Sequence, residues 1–225
     1  VVPWMKCSLE KTCIAPTGSS RKNHRQDQSV LTLLLYNSGF PDCRGIAPVL
    51  PRIYDYVSSV GNFFGIRARV RKYYSFPRKE VAWRGPRVPF LVVTAASSNH
   101  FTELVFFCRR AQSLKLPVIV YDMDLTPEEN AFIRHDIGVT CLRLFDFSKY
   151  PEHVNVKKNA GEYAWKAIII NEVLTLYADK VLWSDSGNYL THKAIAKYSE
   201  QVGFWTTRSS GTVGKWVFPG TGKTN

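Results

Sequence analysis

From residue 90 onward, apolar positions alternate between short solid runs and longer segments striped at helical spacing. Phe90–Ala95 is an apolar, β-branched run of the kind that forms a fully buried parallel strand. Ser97–Asn99 can cap a helix, and Phe101–Ser113 carries Leu104, Val105, Phe107 and Cys108 on one helical face. Pro117–Asp122 reads as the next strand. Thr126–Gly138 reads as a helix with every terminal signal: Thr126 as cap, Pro127 at the first position, Glu129 three residues after the cap, Gly138 as stop. Val139–Phe145 is a third strand, followed by an irregular stretch to Gly161. Glu162–Ala178 is a long helix, Lys180–Trp183 a short fourth strand ending at Ser184–Asn188, and Thr191–Gln201 a last helix. This order predicts an α/β fold, a mostly parallel sheet with helices on both faces.

The first 89 residues are less regular. Residues 1–28 lack sustained periodicity and read as a loop or extended arm, and Val30–Tyr36 as a short buried strand. Asn37–Gly45 contains Gly39, Pro41 and Gly45 and reads as a turn; Ile46–Phe64 carries a helical apolar stripe; residues 65–89 look like strand and loop. The expected division is a basic arm and extension over 1–89, packed on a core domain over 90–225 that is shortened at its C-terminal end.

Charge sharpens that division. The chain has 225 residues and a net charge of +12. Residues 1–89 hold 15 basic and 5 acidic side chains (+10), whereas 90–225 hold 15 and 13 (+2). The densest basic stretch, Arg67–Arg87, interleaves Tyr73, Tyr74, Phe76 and Trp83, a composition that suits phosphate contacts and base stacking as well as a solvated surface. No nucleic-acid-binding motif accompanies it. The longest apolar run, Val30–Tyr36 broken at Thr32, is too short to span a bilayer. The chain starts at Val and is expected to be a fragment, with any signal or membrane anchor lying outside it. Five cysteines without a CxxC pair exclude a zinc framework. Cys7 and Cys13 are close enough for a small disulfide in an oxidising compartment, or are two unrelated thiols. Cys108 and Cys141 are expected to be buried and unpaired with Cys7, Cys13 or Cys43.

Open α/β sheets bind ligands beyond the carboxyl ends of their strands. After the first strand come Thr94, Ala95, Ala96, Ser97, Ser98 and Asn99, small or polar, which lets a ring or phosphate approach the backbone. Asp122 and Asp124 follow the second strand, and Ser184, Asp185, Ser186, Gly187 and Asn188 the fourth. Carboxylates at strand ends suit a hard cation or a ribose hydroxyl. There is no G-x-G-x-x-G after the first strand, no phosphate-binding GxxxxGK[ST], and no G-x-S-x-G; Gly220–Thr224 resembles the tail of the second but follows no strand.

Val92-Val93-Thr94-Ala95-Ala96, Val118-Ile119-Val120-Tyr121-Asp122, Tyr163-Ala164-Trp165-Lys166 and Val181-Leu182-Trp183-Ser184-Asp185-Ser186-Gly187, in that order, resemble nucleotide-sugar glycosyltransferases of the GT-A (Rossmann-like) fold, among them glycogenin. The segment Gly214–Thr221, with Trp216, Pro219 and Gly220, also looks like a W-x-x-P-G-T signature of a poorly characterised eukaryotic branch of that fold. The resemblance covers about residues 90–221. It implies that Thr94, Ala95, Ala96, Ser97, Asn99 and Asp122 hold base and ribose, that Lys166 and Asp185 are the catalytic pair facing the diphosphate, and that Ser186 and Gly187 line the same site. Asp185 would be the metal residue, first Asp of a D-x-D whose third position is Gly187 here. The resemblance further implies a Mn²⁺ or Mg²⁺ cofactor, a nucleoside diphosphate sugar as donor, a glycan or protein acceptor, and residence in the secretory pathway, Golgi lumen or extracellular space. An inverting reaction also needs a general base, for which Asp124, Glu162 and His192 are candidates. Two other classes stay open: a catalytically silent GT-A-like domain used in binding or assembly, favoured by Gly187, and a basic nucleic-acid-binding protein, favoured by Arg67–Arg87.

Overall fold

The computed structural model describes residues 1–20, 24, 26–37, 60–200 and 203. Along the chain run helices α1 (Val2–Leu9), α2 (Lys11–Ile14), α3 (Gln26–Asn37) and α4 (Val60–Val70), then β1 (Val88–Ala96), α5 (Phe101–Ser113), β2 (Val118–Asp122), α6 (Pro127–Phe132), β3 (Cys141–Leu144), α7 (Trp165–Leu176), β4 (Ala178–Trp183) and α8 (His192–Glu200). By its contacts the chain forms two compact units: Val1–Ala47 with Asp146–Thr175 and Gly203–Asn225, and Pro48–Phe145 with Leu176–Val202. The division is discontinuous, unlike a single cut after residue 89. The stripe over Ile46–Phe64 falls almost wholly outside the described residues, as do Cys43 and the Gly214–Thr221 segment.

The second unit contains the sheet. Its strands pair in the order β3-β2-β1-β4 and all three ladders are parallel. The protein is thus α/β, with a four-stranded parallel sheet flanked by helices. Register puts Val92, Val118 and Leu182 in one row and Thr94, Val120 and Leu142 in the next. On this face Val92, Val118, Val120 and Leu142 join Phe101, Leu104 and Phe107 of α5, Phe132 of α6 and Ala194 of α8 in one apolar cluster. Leu91, Val93, Ile119, Tyr121 and Cys141, on the opposite face, are buried too. Burial on both faces is what the unbroken apolar runs demand. The α6 cap forms as the sequence predicts: Thr126 Oγ1 accepts from Glu129 N at 3.2 Å and Glu129 Oε2 accepts from Thr126 N at 3.0 Å. One wider turn, Ile133–Ile137, extends α6 to Gly138, whose φ of +68° ends it. Cys108 and Cys141 are both buried, and burial pushes the Cys108 thiol up to about 12.

Three expectations for the N-terminal part change. Residues 1–28 are not an extended arm but contain α1, α2 and the start of α3, and a disulfide joins Cys7 to Cys13. Val30–Tyr36 lies within α3 instead of forming a strand. A short apolar run fits either element; four leucines favour helix, and the described residues of this unit offer no strand to pair with. Residues 65–89 open with the end of α4 and a tight turn at Arg71–Tyr73, not with a strand. Ile66, Val70 and Tyr73 are buried at spacings of four and three, while Arg67, Arg69 and Arg71 face out. Beyond that turn one antiparallel bridge, Val81 with Leu142, ties the segment to β3.

The helix expected from Glu162 starts only at Trp165. Asn159, Ala160, Gly161, Glu162 and Tyr163 all have positive φ, between +46° and +63°, and wind one left-handed turn. Each non-glycine residue there carries about 1–2 kcal/mol of strain. A Cβ on Gly161 would lie 2.2 Å from Val154 O, so only glycine fits. Trp165 Nε1 donates to Ala160 O at 3.0 Å and helps hold the turn.

Candidate functional site at the carboxyl edge of the sheet

Chain order sets where this sheet opens. From β1 the chain steps outward to β2 and β3, then returns to place β4 on the other side of β1. The reversal leaves a crevice outside the carboxyl ends of β1 and β4, the topological switch point of an open α/β sheet. Ser184 N donates to Val93 O at 3.0 Å, which lays Ser184–Asn188 beside Thr94 and the residues after it. Asp122 ends β2 and Asp185 follows β4 by two residues, so both occupy the carboxyl edge, as the strand order predicts.

The β1–β4 flank is built from small groups. Thr94, Ala95 and Ala96 are buried at the end of β1, and Thr94 Oγ1 has no hydrogen-bond partner among the described residues. Ser97 Oγ donates to Asn99 Oδ1 at 2.6 Å. Across from them Ser184 and Ser186 are buried and Asp185 is exposed. The Asp185 carboxylate accepts from Trp183 Nε1 at 3.0 Å, and Asn188 N closes the turn onto Asp185 O at 3.0 Å. Arg110 fixes the outgoing chain, donating to Leu190 O at 2.7 Å with its guanidinium 4.7 Å from the Tyr189 ring centre. Gly187 stands half-buried at the third D-x-D position.

The β1–β2 flank is filled by the protein itself. The fully buried Asp122 accepts from Arg78 through both oxygens (2.8 and 3.3 Å), from the backbone N of Asp124 (3.0 Å) and Leu125 (2.7 Å), and from Asn130 Nδ2 (2.9 Å). Five donors exhaust a carboxylate's roughly four lone-pair sites, so the ribose role expected for Asp122 does not fit this donor set. Nearby, Glu129 takes Arg67 on one oxygen and Ser98 Oγ on the other, and Arg67 also donates to Ser98 O at 3.1 Å. The dense basic stretch is thus partly spent inside its own unit: Arg67 on Glu129, Lys72 on Asp136, Arg78 on Asp122, Arg87 on Asp179. The sequence gives no local sign of these pairs, which join positions 44 to 92 residues apart.

Lys166 belongs to the helical unit and Asp185 to the sheet unit. Lys166 lies in the first turn of α7, with Nζ 3.9 Å from Asp27 Oδ2 and 5.1 Å from the Tyr163 ring centre. The three candidate bases also divide. Asp124 sits at the sheet edge with Oδ1 3.8 Å from Arg78 Nη1, His192 is exposed at the start of α8, and Glu162 is buried in the helical unit. No group of three or more His, Cys, Asp or Glu placed to hold a metal ion occurs among the described residues. Among the described residues, Asp185 is the carboxylate that follows β4 at the switch point. It fits a hydrated Mg²⁺-type ion that enters with a diphosphate, and it does not make a dedicated cage.

Residues 86–171, 86 of the 225, match a family model described as a protein of unknown function (DUF1647). The match runs from just before β1 through the left-handed turn to the first half of α7, and includes Thr94–Asn99, Asp122 and Lys166 but not Asp185. Neither a curated protein nor a solved structure matches the chain.

Proposed function

We propose that the crevice at the carboxyl ends of β1 and β4 receives the diphosphate of a nucleotide sugar, and that the protein transfers the sugar to a hydroxyl acceptor on a glycan or protein. The observation that carries this reading is the switch point, flanked by Thr94–Asn99 and Ser184–Asn188. Small side chains there let a nucleotide approach backbone groups, and the unpaired hydroxyl of Thr94 at the end of β1 is suited to a polar ligand atom. The order of motifs noted above for glycosyltransferases of the GT-A fold agrees with it.

Glycosyl transfer requires the charge developing on the departing diphosphate to be stabilised. In this reading Thr94–Asn99 hold base and ribose, and Ser186 and the backbone amides of Ser184–Asn188 orient the diphosphate. Asp185 would hold a Mn²⁺ or Mg²⁺ ion that arrives with it, and the ion would supply neutralising charge. Lys166 is the basic residue that the motif order assigns to the same task. The disulfide Cys7–Cys13 supports an oxidising compartment, and hence the secretory pathway or extracellular space. A second reading, a silent domain that binds nucleotide sugar without transfer, is favoured by Gly187 in place of a second carboxylate.

Calorimetric titration with UDP, GDP and ADP, with and without Mn²⁺, tests the shared part of both readings. Saturable binding of one nucleotide, weakened at least tenfold in Asp185→Asn when Mn²⁺ is present, is the expected result. Hydrolysis or transfer from the matching nucleotide sugar then separates enzyme from silent binder. Absence of binding by all three nucleotides would reject both.

A further inference from the structure

The helical unit contains a cavity of about 250 Å³ lined by Lys11, Glu152, His153, Lys158, Asn159 and Glu162. Its volume lies below the roughly 300–1,000 Å³ of pockets that take drug-sized ligands, so its occupant is small. The charges lining it cancel, two lysines against two glutamates, which disfavours a polyanion such as a nucleoside diphosphate. Lys158 and Glu152 already pair with each other. His153 is engaged as well, its Nε2 donating to Ser8 O at 2.9 Å. That leaves Lys11, exposed at the start of α2, and Glu162.

Glu162 is 7% exposed, and its two oxygens differ. Oε1 accepts from Asn159 Nδ2 at 2.9 Å, whereas Oε2 is buried and accepts no hydrogen bond from the described residues. A buried carboxylate oxygen without a donor is costly and calls for a partner. The left-handed turn Asn159–Tyr163 is what brings Asn159 and Glu162 to the same cavity, at a strain the chain carries through four non-glycine residues.

We infer that this cavity binds a small zwitterion of the amino-acid class, its ammonium donating to Glu162 Oε2 and its carboxylate meeting Lys11. A neutral polyol could donate to Glu162 but would leave Lys11 and Glu162 without opposite charges. An ammonium or a carboxylate alone satisfies one end only. The inference does not rest on the reading of the sheet edge.

The probes are a series with growing charge separation, glycine, β-alanine, 4-aminobutyrate and 6-aminohexanoate, titrated by calorimetry into the full chain. Ethanolamine and butyrate serve as half-ligands, and glucose as the neutral control. At least one amino acid binds saturably, each half-ligand binds at least tenfold more weakly, and Glu162→Gln and Lys11→Ala each lose tenfold or more. Lys11 is on the surface, so Lys11→Ala keeps the parent's melting temperature and remains decisive if Glu162→Gln does not fold. Failure of every amino acid to bind, half-ligands that bind as tightly, glucose binding in their place, or amino-acid affinity unchanged in Lys11→Ala would each overturn the assignment.

Discussion

Two flanks of one sheet edge, separated only by β1, treat their carboxylates in opposite ways. On the β2 side Asp122 is fully buried and holds five donors, and Glu129 is locked by Arg67 and Ser98. On the β4 side Asp185 is exposed beside an indole N–H, among serines, a glycine and an asparagine. Asp122 ends β2 and Asp185 follows β4 by two residues on the same edge, and sequence position alone does not tell their roles apart. The five donors on Asp122 mark a group that holds the fold, and the exposure of Asp185 sets it apart.

Arg78→Ala should have the largest effect, because it removes the charged partner of a carboxylate that keeps its other donors but stays buried. Chemical denaturation should report a loss of about 2–3 kcal/mol, with nucleotide affinity unchanged. Unaltered stability would mean that the β1–β2 flank is not closed by this pair. Thr126→Ala, which breaks the reciprocal cap beside Glu129, should cost about 1 kcal/mol. At the open flank, Asp185→Asn should leave stability within about 0.5 kcal/mol, as expected of an exposed side chain. The double change Arg69→Ala with Arg71→Ala should likewise alter neither stability nor nucleotide binding by more than that, since both arginines face out from the sheet unit.

Acid offers a contrast in the other unit. Burial lowers the pKa of His24 below its ordinary 6.5, against the opposing pull of its bond to Ile14 O and of Glu162. The unfolded chain therefore binds a proton more readily than the folded one. The stability held by the neutral ring is present above pH 6.5 and is lost as pH falls from there through the lowered folded value. Amide exchange on acidification should show α1–α3 loosening before β1 and β2; simultaneous loosening would contradict the assignment.

The sheet was legible because each of its elements announces itself locally. Phe90–Ala95 and Pro117–Tyr121 are solid apolar runs, and Thr126, Pro127, Glu129 and Gly138 mark both ends of α6. The parallel sheet needed only the alternation of strands and helices, and with it came the carboxyl edge and its candidate residues, whereas the order β3-β2-β1-β4 came from the structure. The helical unit was not legible to the same degree. Val30–Tyr36 gave no period by which to tell helix from strand. The left-handed turn was hidden because Ala160, Glu162 and Tyr163 are poor residues for that conformation; only Asn159 and Gly161 hint at it. The ion pairs of Arg67, Arg78 and Arg87 were hidden for another reason. Charge counts describe how much cation a segment carries, and the fold decides how much of it meets an acid.

Amide-resolved hydrogen exchange, with and without a saturating nucleoside diphosphate and Mn²⁺, tests the central claim most directly. The nucleotide should raise protection at Thr94–Asn99 and Ser184–Asn188 while leaving Met123–Leu125, beside the filled Asp122, unchanged. Protection confined to Met123–Leu125 or to Arg69–Lys72, with none at Ser184–Asn188, would contradict the assignment of the β1–β4 crevice as the nucleotide site.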